Sequence, residues 1–219
     1  MIATTWRTYL YSTWRLTERS AVHVSSHMSR RWARLVSNLL SPPLVWAVMI
    51  FTIAFHVTSN QTLALTYALV YGVMICLLPI LYIAWMVRRG KISDLHMKER
   101  RERIIPFLIS VLCSTLAWAA LRLMNAPDIL PLVAAVTLIQ LSIMAVITLF
   151  WQISMHAMGI TVAVVAMGVV FGVGAALVTS PLVPIVAAAR LSLRRHTLAQ
   201  VVAGALLGVL IPLLVVSRS

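Results

Sequence analysis

Charge is scarce in this chain of 219 residues: only 11% of its side chains are Asp, Glu, Lys or Arg, and only five of them are acidic. Soluble domains are about a quarter charged and roughly half apolar, whereas here 61% of the residues are hydrophobic and the mean hydropathy is +0.96. So few polar groups cannot cover a globule in water, so lipid must cover much of the surface and the chain reads as an integral membrane protein. The shortage of acids also argues against a carboxylate-rich metal site. Cysteine is equally sparse. Cys76 and Cys113 stand alone inside apolar runs, without the paired spacing of a metal site or a disulfide framework, and read as packing residues. The N-terminal 40 residues lack the short apolar core of a secretory signal. No repeat and no low-complexity segment stands out.

What charge there is has one sign. The formal net charge is +13, from 18 Lys and Arg against five acids. No nucleic-acid-binding signature accompanies it, so nucleic acid is not an expected partner, and basic loops that hold a membrane protein in place explain it better. Arg7, Arg15, Arg19, Arg30, Arg31 and Arg34 are scattered among Trp6, Trp14 and Trp32. This makes residues 1–40 a basic, Trp-containing interfacial tail on an anionic lipid surface. Residues 41–219 form the membrane domain.

A helix needs about 20 apolar residues to cross the hydrocarbon core. The runs predict helices over Pro42–Thr58, Thr62–Val87, Ile104–Met124, Ile129–Trp151, His156–Val178 and Leu198–Val216. A shorter run from Pro181 crosses only if it stays helical to about Leu193. The expected fold is therefore all-α, a polytopic bundle of about six to seven membrane helices. If every run crosses, 16 of the 18 basic residues fall on the N-terminal side and only Arg122 and Arg218 on the other. The positive-inside rule then puts the N-terminus in the cytoplasm and the C-terminus on the opposite side. Gly168, Gly172, Gly174, Gly204 and Gly208 have the spacing of close helix contacts.

Three polar clusters share the basic side: KISDLHMKERRERIIP from Lys91, ISMH from Ile153 and ARLSLRRHTLAQ from Ala189. Lys98 and Arg190 are cations able to hold an anion, and His156 and His196 can move protons near neutral pH. Phosphoryl transfer needs cations on the equatorial oxygens, an in-line nucleophile and an acid for the leaving oxygen, and histidine can be the covalent nucleophile. If the last helix starts near Thr197, Gln200, four residues after His196, shares its face and could accept its N–H.

These clusters resemble the type 2 phosphatidic acid phosphatase superfamily, whose signature is K-x6-R-P, then P-S-G-H, then S-R-x5-H-x3-D. Lys98 and Pro106 match the first motif, Ser154 and His156 the second, and Arg190 and His196 the third. The strings WQISMHA and RRHTLAQVVAGALLG look similar to a divergent bacterial branch of that superfamily, and the resemblance covers about residues 88–210. It implies a phosphohistidine at His196, His156 as the acid for the leaving group, and phosphate binding by Lys98, Arg190 and Ser154. Gln200 would orient the nucleophile. No metal and no cofactor are implied. The chain departs from the pattern at Ile105, Ile153, Met155, Ala189 and Gln200. Ile105 stands where the family has a phosphate-binding arginine, for which Arg101 or Arg103 is the substitute. The expectation is an enzyme of the bacterial inner membrane that hydrolyses a lipid phosphomonoester or a prenyl or lipid diphosphate at the cytoplasmic face. The alternative is a non-catalytic lipid-binding or assembly subunit of the same fold. Haem ligation by membrane histidines is weaker still, since His56 lies near the face opposite His156.

Overall fold

The structure, a computed structural model, describes residues 30–91 and 101–218. Among these residues the chain is helical throughout, with no strand. In order the helices are α1 (Arg30–Leu39), α2 (Pro42–Val57), α3 (Gln61–Tyr71), α4 (Leu78–Arg88), α5 (Ile104–Leu123), α6 (Ile129–Thr148), α7 (Met155–Phe171), α8 (Val173–Thr179), α9 (Leu182–Ser192) and α10 (Leu198–Val216). Five helical stretches are long and apolar enough to cross a membrane: Gln61–Arg88, α5, α6, Val173–Ser192 and α10. The pair α1 and α2, bent by 42°, makes a sixth if it acts as one span. At 17 residues α7 is shorter. The protein is an all-α helical bundle of an integral membrane protein.

The bundle is built the way lipid demands. α10 turns Val201, Gly204, Gly208 and Pro212 inward and leaves Val202, Leu206, Leu210, Leu213 and Leu214 exposed. On α5, Ala117 and Leu121 are buried while Leu108, Leu112 and Leu116 are exposed at four-residue spacing. A helix that buries its small residues and exposes its leucines is stable only where the surroundings are as apolar as leucine. Gly204 and Gly208 meet the expectation of close contact. A Cβ on Gly204 would collide with the backbone carbonyl of Ser154, and one on Gly208 would lie 2.7 Å from the Met158 oxygen. The backbones of α7 and α10 can meet only because these two positions lack side chains.

Two features depart from the expected spans. The fifth run does not continue to Val178. The chain breaks at Gly172, whose φ of 88° suits glycine, and α8 folds back so that Gly168 faces Ala176. The following span starts at Val173 rather than Pro181 and gains the length to cross, 20 residues. Gly172 is thus a hinge, and Gly174 has nothing within 4 Å of a built Cβ, so neither makes the helix contact expected of it.

The second departure lies within Gln61–Arg88, where Gly72–Leu77 is π-helical. Pro79 has no N–H to give the carbonyl four residues back, and its ring crowds that carbonyl. A wider turn before it relieves both, and such bulges often sit at functional sites.

Gly204→Val is expected to destabilise the fold by about 1–3 kcal/mol through overpacking, read as a lower melting temperature in detergent. Gly174→Ala is the control and is expected to melt at or above the wild-type temperature.

Candidate functional site

Of the three polar clusters, Arg103, the Ile153–His156 stretch and the Arg190–His196 stretch meet at one end of the bundle, beside Ser37 of α1. Ile153 is buried, and Ser154 caps α7 by accepting the Ala157 N–H on its hydroxyl. The Ser154 N–H donates to the carbonyl of Gln200 over 3.0 Å, tying the start of α7 to the first turn of α10. At that turn Thr197 and Gln200 form a reciprocal capping box. His196 is the residue just before the cap. These backbone links place His156 and His196 on one cavity although 39 residues separate them in the chain.

The cavity has a volume of about 470 Å³. Its polar wall includes Arg103, His156, Arg190, His196 and Ser37. Its apolar wall runs along Trp46, Ile75, Cys76, Ile80, Phe107 and Leu141. Ile75 and Cys76 come from the π-helical turn, so the bulge shapes the apolar side. No carboxylate lines the cavity among the described residues.

Arg190 is only 4% exposed. Its Nη1 donates to the Ser37 hydroxyl at 2.7 Å, while its Nε is buried with no hydrogen-bond partner. Among the described residues the ion pair at Arg122 and Asp128, at the far end of α5, is exposed and leaves Arg190 without a carboxylate. A buried cation without a counter-charge costs several kcal/mol, and an anion in the cavity would remove much of that cost.

Ser37 also holds His156, whose Nε2 is 3.0 Å from the Ser37 carbonyl oxygen and 3.3 Å from its hydroxyl. A carbonyl can only accept, so this contact favours the proton on Nε2. Ser37 therefore joins Arg190 and His156 in one hydrogen-bonded unit, and it comes from the stretch expected to be a separate tail. The packing places residues 30–40 with the membrane domain, because α1 buries Ala33 and Ser37 against it. The only mark of it in the sequence is the narrow stripe of Ala33 and Ser37, four residues apart on α1.

His196 is buried, and its Nδ1 makes no hydrogen bond. Burial, and then the neighbouring Arg190 and Arg103, pull its pKa down from 6.5 to about 4, against weaker opposing contributions from the Gln200 side chain and the Gln152 backbone. The ring is therefore neutral at pH 7, with an unprotonated nitrogen to offer. The sign for stability follows: the unfolded chain takes up this proton near pH 6.5 and the folded one near pH 4, so stability present above about 6.5 is lost as the pH falls towards 4. If the ring must be neutral to react, the acid limb of kcat/KM is expected near pH 4 rather than 6.5. Arg103→Gln, by removing one positive neighbour, is expected to move that limb upward, as a pH–rate profile would show.

The other expected site residues fall as follows. Arg103 reaches the cavity, whereas Ile105, at the family's arginine position, is half exposed on the outer side of α5. Ser154 is fully buried, lies outside the cavity lining and caps α7. Gln200 also lies outside the lining, and its Oε1 accepts the Thr197 N–H. It fixes the helix start beside His196, and its side chain also acts on the His196 ring. Lys98 lies outside the described residues. His56 packs on Phe171, at 4.5 Å between ring centroids, at the opposite end of α7 from His156. Sixteen helical residues span about 24 Å, so His56 and His156 cannot share one ligand. No protein-family model, curated protein or solved structure matches the chain.

Proposed function

We propose that the protein is a membrane-embedded phosphatase that hydrolyses a lipid phosphomonoester or a prenyl or lipid diphosphate at the cytoplasmic membrane face. One observation carries the reading: two imidazoles and two guanidiniums, from four separate elements, line a single cavity whose remaining wall is mostly apolar. Cations and imidazoles suit a phosphate, and the apolar wall suits the chain attached to it. The motif resemblance to type 2 phosphatidic acid phosphatases points the same way, and the charge asymmetry favours the cytoplasmic side.

In this reading Arg190 and Arg103, with Lys98 by resemblance, hold the phosphate oxygens. The neutral His196 attacks phosphorus. An N–P bond forms as the P–O bond to the leaving group breaks, and His156 gives that oxygen a proton. His156 enters this step as the imidazolium: its Nε2–H stays on the Ser37 carbonyl, and the proton that moves is the one on Nδ1. His156 then takes a proton from water, which attacks phosphorus, breaks the N–P bond and releases inorganic phosphate. Fixed cations act here without reorganisation.

The test is phosphate release by folded, purified protein from a panel containing phosphatidic acid, phosphatidylglycerol phosphate and a prenyl diphosphate. Release from at least one of them is expected, and no release from any of them would overturn the reading.

A second reading, a lipid-binding subunit of the same fold, draws on two observations. His196 Nδ1 has no partner, and the residue at the orienting position is a capping glutamine rather than an acid. Such a subunit would bind the lipid phosphate and never become labelled on histidine.

A further inference from the structure

A second concavity of about 540 Å³ adjoins the first on its outer side. Five arginines line it: Arg30 and Arg34 from α1, and Arg190, Arg194 and Arg195 from the end of α9 and the corner beyond it. No carboxylate lines it among the described residues. Its two walls are some 150 positions apart in the chain, so the basic recess is a product of the fold and not of one basic run. Arg194 holds a left-handed φ of 51°, uncommon outside glycine, at the corner where the chain turns into α10. Arg190 lines both spaces, and its buried Nε has no partner. Clustered guanidiniums in a concave wall focus a positive potential and attract an anion.

The two faces of α1 say which anion. Arg30 and Arg34, four residues apart, share one face of α1. Roughly opposite, Trp32, Leu35 and Leu39 are exposed, the last two by 62% and 68%. An amphipathic helix of this kind lies in the interface with its apolar face among acyl chains, which sets its arginines level with lipid head groups.

We propose that this recess is a second anion site, beside the reaction cavity and sharing Arg190 with it, that holds the phosphodiester of an anionic phospholipid head group. The bound lipid supplies a counter-charge for Arg30, Arg34, Arg190 and Arg194 and pins α1, and with it Ser37, against α9. The proposal does not depend on catalysis, because a phosphodiester lipid offers no phosphomonoester to hydrolyse.

The experiment is a binding titration of delipidated full-length protein by native mass spectrometry, with phosphatidylglycerol, phosphatidylcholine and inorganic phosphate as separate probes. One phosphatidylglycerol is expected to bind in preference to phosphatidylcholine, with inorganic phosphate unable to displace it at equal concentration. Arg34→Gln combined with Arg194→Gln is expected to weaken that binding by about 30-fold, from two lost basic contacts at the membrane surface. Equal retention of the two lipids overturns the proposal on wild-type protein alone, whatever the fate of the variant. Displacement by inorganic phosphate assigns the recess to a free anion and overturns the lipid. Unchanged phosphatidylglycerol binding in a variant that elutes as folded protein overturns the placement.

Discussion

His196→Ala is expected to reduce phosphate release by about 10⁴-fold or more, because removing a covalent nucleophile takes away the step and not merely its speed. The variant is expected to fold, with the ring's contacts to the Gln152 backbone and the Gln200 side chain as its loss, so a melting curve accompanies the assay. His156→Ala has a different signature. The leaving group must depart unprotonated and water must attack without a base, so both halves of the reaction slow by about 10²–10⁴-fold. A lipid with a good leaving group, such as a diphosphate, is expected to suffer less than a monoester when His156 is absent, and equally when His196 is absent. Steady-state rates on the two substrate types separate these roles. Equal losses for both variants on both substrates would mean that the two rings do not divide the work as the geometry suggests.

Arg190→Met is expected to move activity and stability in opposite directions. Arg190 is buried, its Nε is unpaired and no carboxylate among the described residues balances it. An apolar side chain of similar length removes that burden, and replacements of buried ions by hydrophobic residues are often neutral or stabilising by about 1–4 kcal/mol. The loss of the 2.7 Å bond to Ser37 returns about 1–3 kcal/mol of that gain. The melting temperature should therefore hold or rise. Phosphate binding should fall by about 100-fold or more, since a charge-assisted contact to the anion is lost in a shielded site. A residue kept at a cost to the fold is kept for the site. If Arg190→Met instead melts well below wild type, Arg190 is a structural residue and the cavity loses its principal cation.

Much of this arrangement is legible in the sequence, and the reasons are specific. The membrane class follows from the shortage of charge. The meeting of Ser154–His156 with Arg190–Gln200 follows from sidedness: once the runs are set across a membrane, both segments must lie at the same end. The structure adds why they touch, namely the Ser154-to-Gln200 backbone bond and the absence of a side chain at Gly204. Other features are hidden for physical reasons. The reversal at Gly172 sits inside an unbroken apolar stretch, and a glycine there reads equally as helix contact or hinge until its φ is known. The π-helical turn depends on how the helix absorbs Pro79, which hydropathy does not register. Ser37 is hidden because α1 carries arginines on one face and leucines on the other, the pattern of a helix lying on a surface. Its buried stripe is narrow, marked by Ala33 and Ser37, and too small to announce a packed element. The arginine expected beside Pro106 is another case. Spacing alone points to position 105, but the helix turns that position outward and brings Arg103 to the cavity instead.

The most direct measurement of the central claim is covalent trapping. The purified protein is mixed with a lipid phosphate labelled on phosphorus, quenched within one turnover in alkaline denaturant, where an N–P bond survives, and mapped by peptide. The account predicts one label, on His196, absent from His196→Ala and accumulating in His156→Ala because hydrolysis of the intermediate has lost its base. Folded protein that turns over the lipid with no label on His196, or with label on another residue, would contradict it.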